Sequence, residues 1–64
     1  MTRFPTEQTA YVGKFAILDK AMGVLIRGGG VDAPRPRLYE TAEAAIQAAE
    51  ELTEWFECEP VELV

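Results

Sequence analysis

The chain predicts an α+β fold, a small antiparallel sheet (a hairpin plus one or two short strands) packed on a single amphipathic helix. Three observations predict it. Period-2 alternation over Tyr11–Leu18 assigns its residues to two strand faces, and Met22–Arg27 has the β-branched and apolar content of a return strand. The run Ala42–Glu57 is rich in alanine, glutamate and leucine and carries its apolar residues at helical spacing. Between them, Gly28–Arg37 holds three glycines and two prolines, which excludes both helix and central strand there.

Taken in order, residues 1–8 read as an irregular lead-in, because Pro5 blocks regular structure. Residues 9–27 read as the hairpin. Tyr11, Phe15 and Ile17 share one face with Gly13 between them, and Val12, Lys14, Ala16 and Leu18 take the other. Asp19-Lys20-Ala21 is the expected turn. Residues 28–37 form a Gly/Pro/Arg loop, and Leu38-Tyr39-Glu40 is extended enough for a short strand. Thr41 is placed to cap a helix over 41–57, with Glu43 in the first turn where the dipole favours an acid. On that helix Ala45, Ala49, Leu52 and Phe56 make the core stripe, flanked by Ala42 and Ala48. Pro60 stops any helix, and Val61–Val64 is the expected last strand. Sixty-four residues make a single domain, 1–64, small enough that only roughly 60% of the unfolded surface is buried.

Charge is segregated. Met1–Arg37 holds all six cations, whereas Leu38–Val64 holds eight glutamates and no cation. The net charge is −5. Such a surface repels nucleic acid and membrane phosphates and attracts basic protein surfaces. Histidine, serine and asparagine are absent, which removes the commonest general base and hydroxyl nucleophile. No catalytic residue, cofactor or metal site is therefore expected, and no enzyme activity. Cys58 is the only cysteine, so no disulfide framework exists, and Glu57 and Glu59 should raise its pKa. With no apolar run behind Met1-Thr-Arg-Phe-Pro, no signal peptide and a soluble, cytoplasmic protein are expected.

The predicted helix sets Glu43, Gln47, Glu50, Glu54 and Glu57 opposite the core stripe, with Glu51 beside them. That row would run roughly 20 Å. On a helix, Glu50–Glu54 and Glu54–Glu57 are like-charge pairs, and the last two acids sit at the wrong end of the dipole. Trp55, the only tryptophan, falls at the border between core stripe and acid row. It reads either as a half-buried edge residue or as an aromatic anchor ringed by glutamates. The partner-binding candidates are Glu43, Glu50, Glu51, Glu54, Trp55 and Glu57. Carboxylates accept bidentate hydrogen bonds from arginine much as phosphates do, so the row could imitate nucleic acid.

In size, charge and architecture, and in Glu43, Glu50, Glu51, Glu54, Glu57 and the tail acids Glu59 and Glu62, the chain resembles the small acidic inhibitors of bacteriophages and other mobile elements, including anti-CRISPR proteins. The resemblance implies a non-catalytic inhibitor that occupies a basic, nucleic-acid-handling surface, such as that of a CRISPR effector complex, and blocks DNA recognition. It also implies the cytoplasm of a bacterial host cell, while charge and size lead us to expect no direct nucleic-acid or membrane binding and a monomer or homodimer. Two alternatives stand beside it. One is a small bacterial accessory or self-associating domain with a merely solvated acidic helix. The other is a nucleic-acid-binding module using Lys14, Arg27, Arg35 and Arg37 of the hairpin and loop.

Overall fold

The computed structural model of the protein describes residues 1–28 and 35–64. Four strands and one helix follow in the order β1 (Thr2–Phe4), a 3-10 turn (Thr9–Tyr11), β2 (Phe15–Asp19), β3 (Val24–Leu25), α1 (Ala42–Leu52) and β4 (Cys58–Leu63). The strands lie in the order β1-β4-β2-β3, and α1 packs on β4 and β2. The α+β class, with one small sheet on one helix, is as expected. The sheet is mixed, because β1 runs parallel to β4 while β2 is antiparallel to both β4 and β3.

The hairpin turns where Asp19 organises it. Its carboxylate accepts from the backbone N–H of Ala21 (3.0 Å) and Met22 (3.2 Å), and its carbonyl accepts from Gly23 N–H (2.8 Å). Gly23 has φ +71°, a conformation that glycine adopts without a Cβ clash, so Met22 and Gly23 belong to the turn and the return strand starts at Val24. The expected hairpin over 9–27 is accordingly shorter at both ends. At its start, Lys14 N–H closes a turn on the Tyr11 carbonyl (3.0 Å), and Gly13 has φ +88°. This turn breaks the alternation. Phe15 and Ile17 face α1, but Tyr11 packs on the opposite face with Ala16, Val61 and Leu63.

Two further elements depart from expectation. Residues 1–8 are not all irregular, because β1 pairs Thr2, Arg3 and Phe4 with Val61, Glu62 and Leu63. The last strand begins at Cys58 and is central, although it contains Pro60. A proline is tolerated there for a local reason. Ile17, its partner on β2, spends its carbonyl on Ile26 N–H of the β3 side (2.9 Å), so the Ile17–Pro60 pair is a non-hydrogen-bonded one. Pro60 therefore turns its nitrogen toward the β1 side, where pairing starts only at Thr2–Val61. Tyr39 makes the short extended contact expected of 38–40, exchanging two hydrogen bonds with Phe15 (2.9 and 2.7 Å). Arg27 pairs with Pro36 at the base of the 28–37 loop, and residues 29–34 of that loop lie outside the described residues.

The sheet has buried residues on both faces. On the helix side Ile17 and Cys58 meet Ala45 and Ala49 of α1, packed by Phe15, Ile26, Tyr39, Ala48, Leu52 and Phe56. On the other face Ala16, Val61 and Leu63 are covered by Phe4, Tyr11, Leu18, Leu25 and Leu38. The alanines at 45 and 49 leave little side-chain bulk between helix and sheet, which lets the two approach closely.

Candidate partner-binding site

α1 starts as expected and stops early. Thr41 is the N-cap, its Oγ1 accepting from Ala44 N–H at 3.2 Å, with Glu43 in the first turn. The helix ends at Leu52 rather than Glu57. Thr53 is the C-cap, its hydroxyl donating to the Ala49 carbonyl at 2.9 Å and to that of Glu50 at 2.7 Å. Length also matters. Eleven residues of helix span about 16 Å, close to the roughly 20 Å of a six-residue strand. A helix running to Glu57 would overshoot the sheet and leave no chain to return as β4.

The early stop redistributes the candidate site. Glu43, Glu50 and Glu51 are exposed on α1, at its first and last turns. Glu54 and Trp55 lie in the turn that follows, and Glu57 immediately precedes β4, its carbonyl accepting from Lys20 N–H (3.1 Å). The expected continuous row is therefore broken, and the like-charge pairs Glu50–Glu54 and Glu54–Glu57 are not helical pairs. In its place is an acidic corner at the C-terminal end of α1, where Glu50 and Glu51 lie on opposite sides of the last helical turn and Glu54, Trp55 and Glu57 follow in the exposed segment before β4.

That tryptophan is not half-buried. Trp55 is 80% exposed, the most exposed large apolar side chain among the described residues, while its neighbour Phe56 turns back onto the core. Its N–H bonds the Leu52 carbonyl at 2.9 Å, so the backbone that carries it is tied to the helix end. None of the five glutamates is in an ion pair with another described residue. The ion pair that does form joins Lys14 to Glu40 at 2.6 Å.

Beside the corner, between α1 and the extended segments at 26–27 and 37–39, lies a hollow of about 330 Å³. Its apolar surface comes from Ile26, Ala48 and Leu52. Arg27, Arg37 and Tyr39 line the strand side, with the Arg37 guanidinium 5.8 Å from the centre of the Tyr39 ring, and Glu51 lines the helix side. Sequence reasoning missed this hollow, since its arginines are separated from Ala48 and Leu52 by a loop and a turn of helix. A smaller depression, about 190 Å³, lies on the other side of α1 near Ile46, Cys58 and Pro60.

Cys58 is buried, and its thiol lies 3.5 Å from the Ala49 carbonyl. Burial pushes its pKa up, and the carboxylate of Asp19, its register partner on β2, adds to the rise. The direction is the expected one, but the causes are burial and Asp19 rather than Glu57 and Glu59. A buried, protonated thiol is a poor nucleophile. Among the described residues no three acidic or cysteine side chains converge as metal ligands, and no helix is long and apolar enough to cross a membrane.

Fold and site together define a small two-layer α+β domain that presents a tryptophan among carboxylates at one end of its helix. No protein-family model matches the chain, and neither the search of curated proteins nor that of solved structures finds a match.

Proposed function

We propose that the protein is a non-catalytic inhibitor that binds a basic, nucleic-acid-handling protein surface through its acidic corner, in the manner of phage anti-CRISPR proteins. The observation that carries this reading is Trp55, 80% exposed in the segment after α1 that also holds the exposed Glu54 and Glu57. A domain this small gains stability from every buried aromatic, so leaving its only tryptophan in water sacrifices folding energy. Tryptophan is enriched among interface hot spots. The carboxylates supply charge-assisted hydrogen bonds to arginine, the same contacts a phosphate backbone would make. Glu43, one helix length away, extends the acidic surface.

The rival reading as a nucleic-acid-binding module is weakened by one contact. Lys14, one of its four cations, is neutralised by Glu40. A direct test measures target-DNA binding by a panel of purified CRISPR effector complexes with and without the chain. Inhibition of at least one complex is expected, reversed by Trp55→Ala and by glutamine at positions 43, 50, 51, 54 and 57, and weakened by salt. A gel shift of DNA or RNA by the chain alone, or binding that survives all six substitutions, would refute the proposal.

A further inference from the structure

We infer that the hollow beside α1 is the receptor for Trp55 of a second copy of this chain, so that two copies exchange tryptophans across a two-fold axis. The chain carries both halves of the contact. One half is an exposed tryptophan flanked by Glu54 and Glu57. The other is an apolar hollow of about 330 Å³ bordered by Arg27 and Arg37. Neither arginine is in an ion pair with another described residue. The volume admits an indole, and Tyr39 offers it an aromatic wall. Charge agrees in sign, since the knob is acidic and the strand side of the hollow is basic. Glu51, on the helix side, is outnumbered by the two guanidinium groups.

Placement favours reciprocity. Leu52 lines the hollow and Trp55 follows three residues later, so knob and hollow both sit at the C-terminal end of α1. A patch that contains its own complement closes as an isologous dimer. Each indole contributes roughly 150–250 Å² of contact, so two exchanged tryptophans and their receptors fall below the roughly 1,200–2,000 Å² of a standard interface. The dimer is accordingly weak and salt-sensitive, with a dissociation constant of about 1 µM to 1 mM. This inference shares Trp55 with the proposed function but does not rest on it. In the dimer the acidic corner is covered by the chain's own arginines, and a foreign basic partner must displace them.

Sedimentation equilibrium of the isolated chain from about 10 µM to 1 mM tests it without any foreign partner, so its failure leaves the inhibitor reading standing and the reverse also holds. A monomer–dimer equilibrium is expected, weakened at least about tenfold by Trp55→Ala and shifted toward monomer by salt. Because Trp55 is exposed, that variant keeps its fold. Two charge variants add specificity. Arg27→Glu with Arg37→Glu, and Glu54→Lys with Glu57→Lys, should each be monomeric alone and should form a mixed dimer when combined, since both contacts then regain opposite charges. A chain that stays monomeric to 1 mM, or a dimer whose affinity survives Trp55→Ala, would overturn the inference. So would a dimer that persists in either charge variant alone, or a mixture of the two that stays monomeric, which would assign the hollow to another occupant.

Discussion

On the helix side of the sheet, Ile17 and Cys58 lie under Ala45 and Ala49 of a single regular element. On the opposite side, Ala16, Val61 and Leu63 lie under Phe4, Tyr11, Leu25 and Leu38, which come from β1, the 3-10 turn, β3 and the segment before α1. Both sets are fully buried or nearly so, but they are buried by different means. A helix delivers Ala45, Ala48, Ala49 and Leu52 as one rigid body, so those contacts share one docking geometry, and Ile26, Tyr39 and Phe56 close the margin of that face. The opposite face is closed by Phe4, Tyr11, Leu18, Leu25 and Leu38, carried by separate segments of the chain. A chain this short completes a second layer on one face only and closes the other with chain segments.

The largest effects come from emptying either face. Ile17 and Leu63 are 1% and 0% exposed. Ile17→Ala and Leu63→Ala should each cost about 2–5 kcal/mol. For a domain whose whole stability is of order 3–10 kcal/mol, either change approaches unfolding. Chemical denaturation followed by circular dichroism checks this. If the opposite face were loosely covered, Leu63→Ala would cost far less than Ile17→Ala, and the two faces would not be equivalent in weight.

Overfilling should separate the faces. Ala45 and Ala16 are both 0% exposed. Ala45→Leu must lift the whole helix and should cost about 1–3 kcal/mol or more. Ala16→Leu meets side chains on separate segments that can shift one at a time, so its cost should be smaller. Equal costs would show that the opposite face is as rigidly packed as the helix side.

The same contrast explains what could be read in the amino-acid order. The helix side was legible because Ala45, Ala49, Leu52 and Phe56 repeat at helical spacing and Thr41 marks the start. The opposite face was not, because Phe4, Tyr11, Leu25 and Leu38 share no period. β1 is three residues long with Pro5 behind it, too short to show alternation. The helix end was missed because alanine and glutamate favour helix as far as Glu57, while the stop depends on the length of the sheet and on the chain needed to return as β4. Pro60 marked the end of helix correctly, yet it sits inside a central strand because its nitrogen points where no strand pairs. For the site, the residue types were legible and their arrangement was not. The acidic row became a corner when the helix stopped five residues early, and the exposure of Trp55 followed from that stop.

Cys58 tests the helix side by pH. Its thiol pKa is raised by burial first and by Asp19 second. The folded chain therefore holds this proton to higher pH than the unfolded chain. The contribution is fully present below the unfolded value near 9.0 and is lost as pH rises toward the folded one. Stability should fall above about pH 9, and less so in Cys58→Ala, as denaturant midpoints would show. Disulfide reagents should modify Cys58 slowly in the folded chain and rapidly once denaturant opens it.

The smallest effect is expected one residue from a large one. Phe56 packs on the helix-side core, and Trp55 stands 80% exposed on the same turn. Phe56→Ala should destabilise by about 3 kcal/mol or somewhat less for a half-buried ring. Trp55→Ala should change stability by no more than about 0.5 kcal/mol, the range for surface positions. Measured at concentrations where the chain is monomeric, this pair separates folding from recognition. A costly Trp55→Ala would mean that the indole is held by the monomer, and would remove it from both the proposed partner contact and the exchange between copies. A neutral one leaves a large apolar side chain that does nothing for its own fold, kept at the end of a helix whose hydrogen bonds already fix its backbone. That combination, rigid backbone and unspent apolar surface, is what lowers the entropic cost of binding to another molecule.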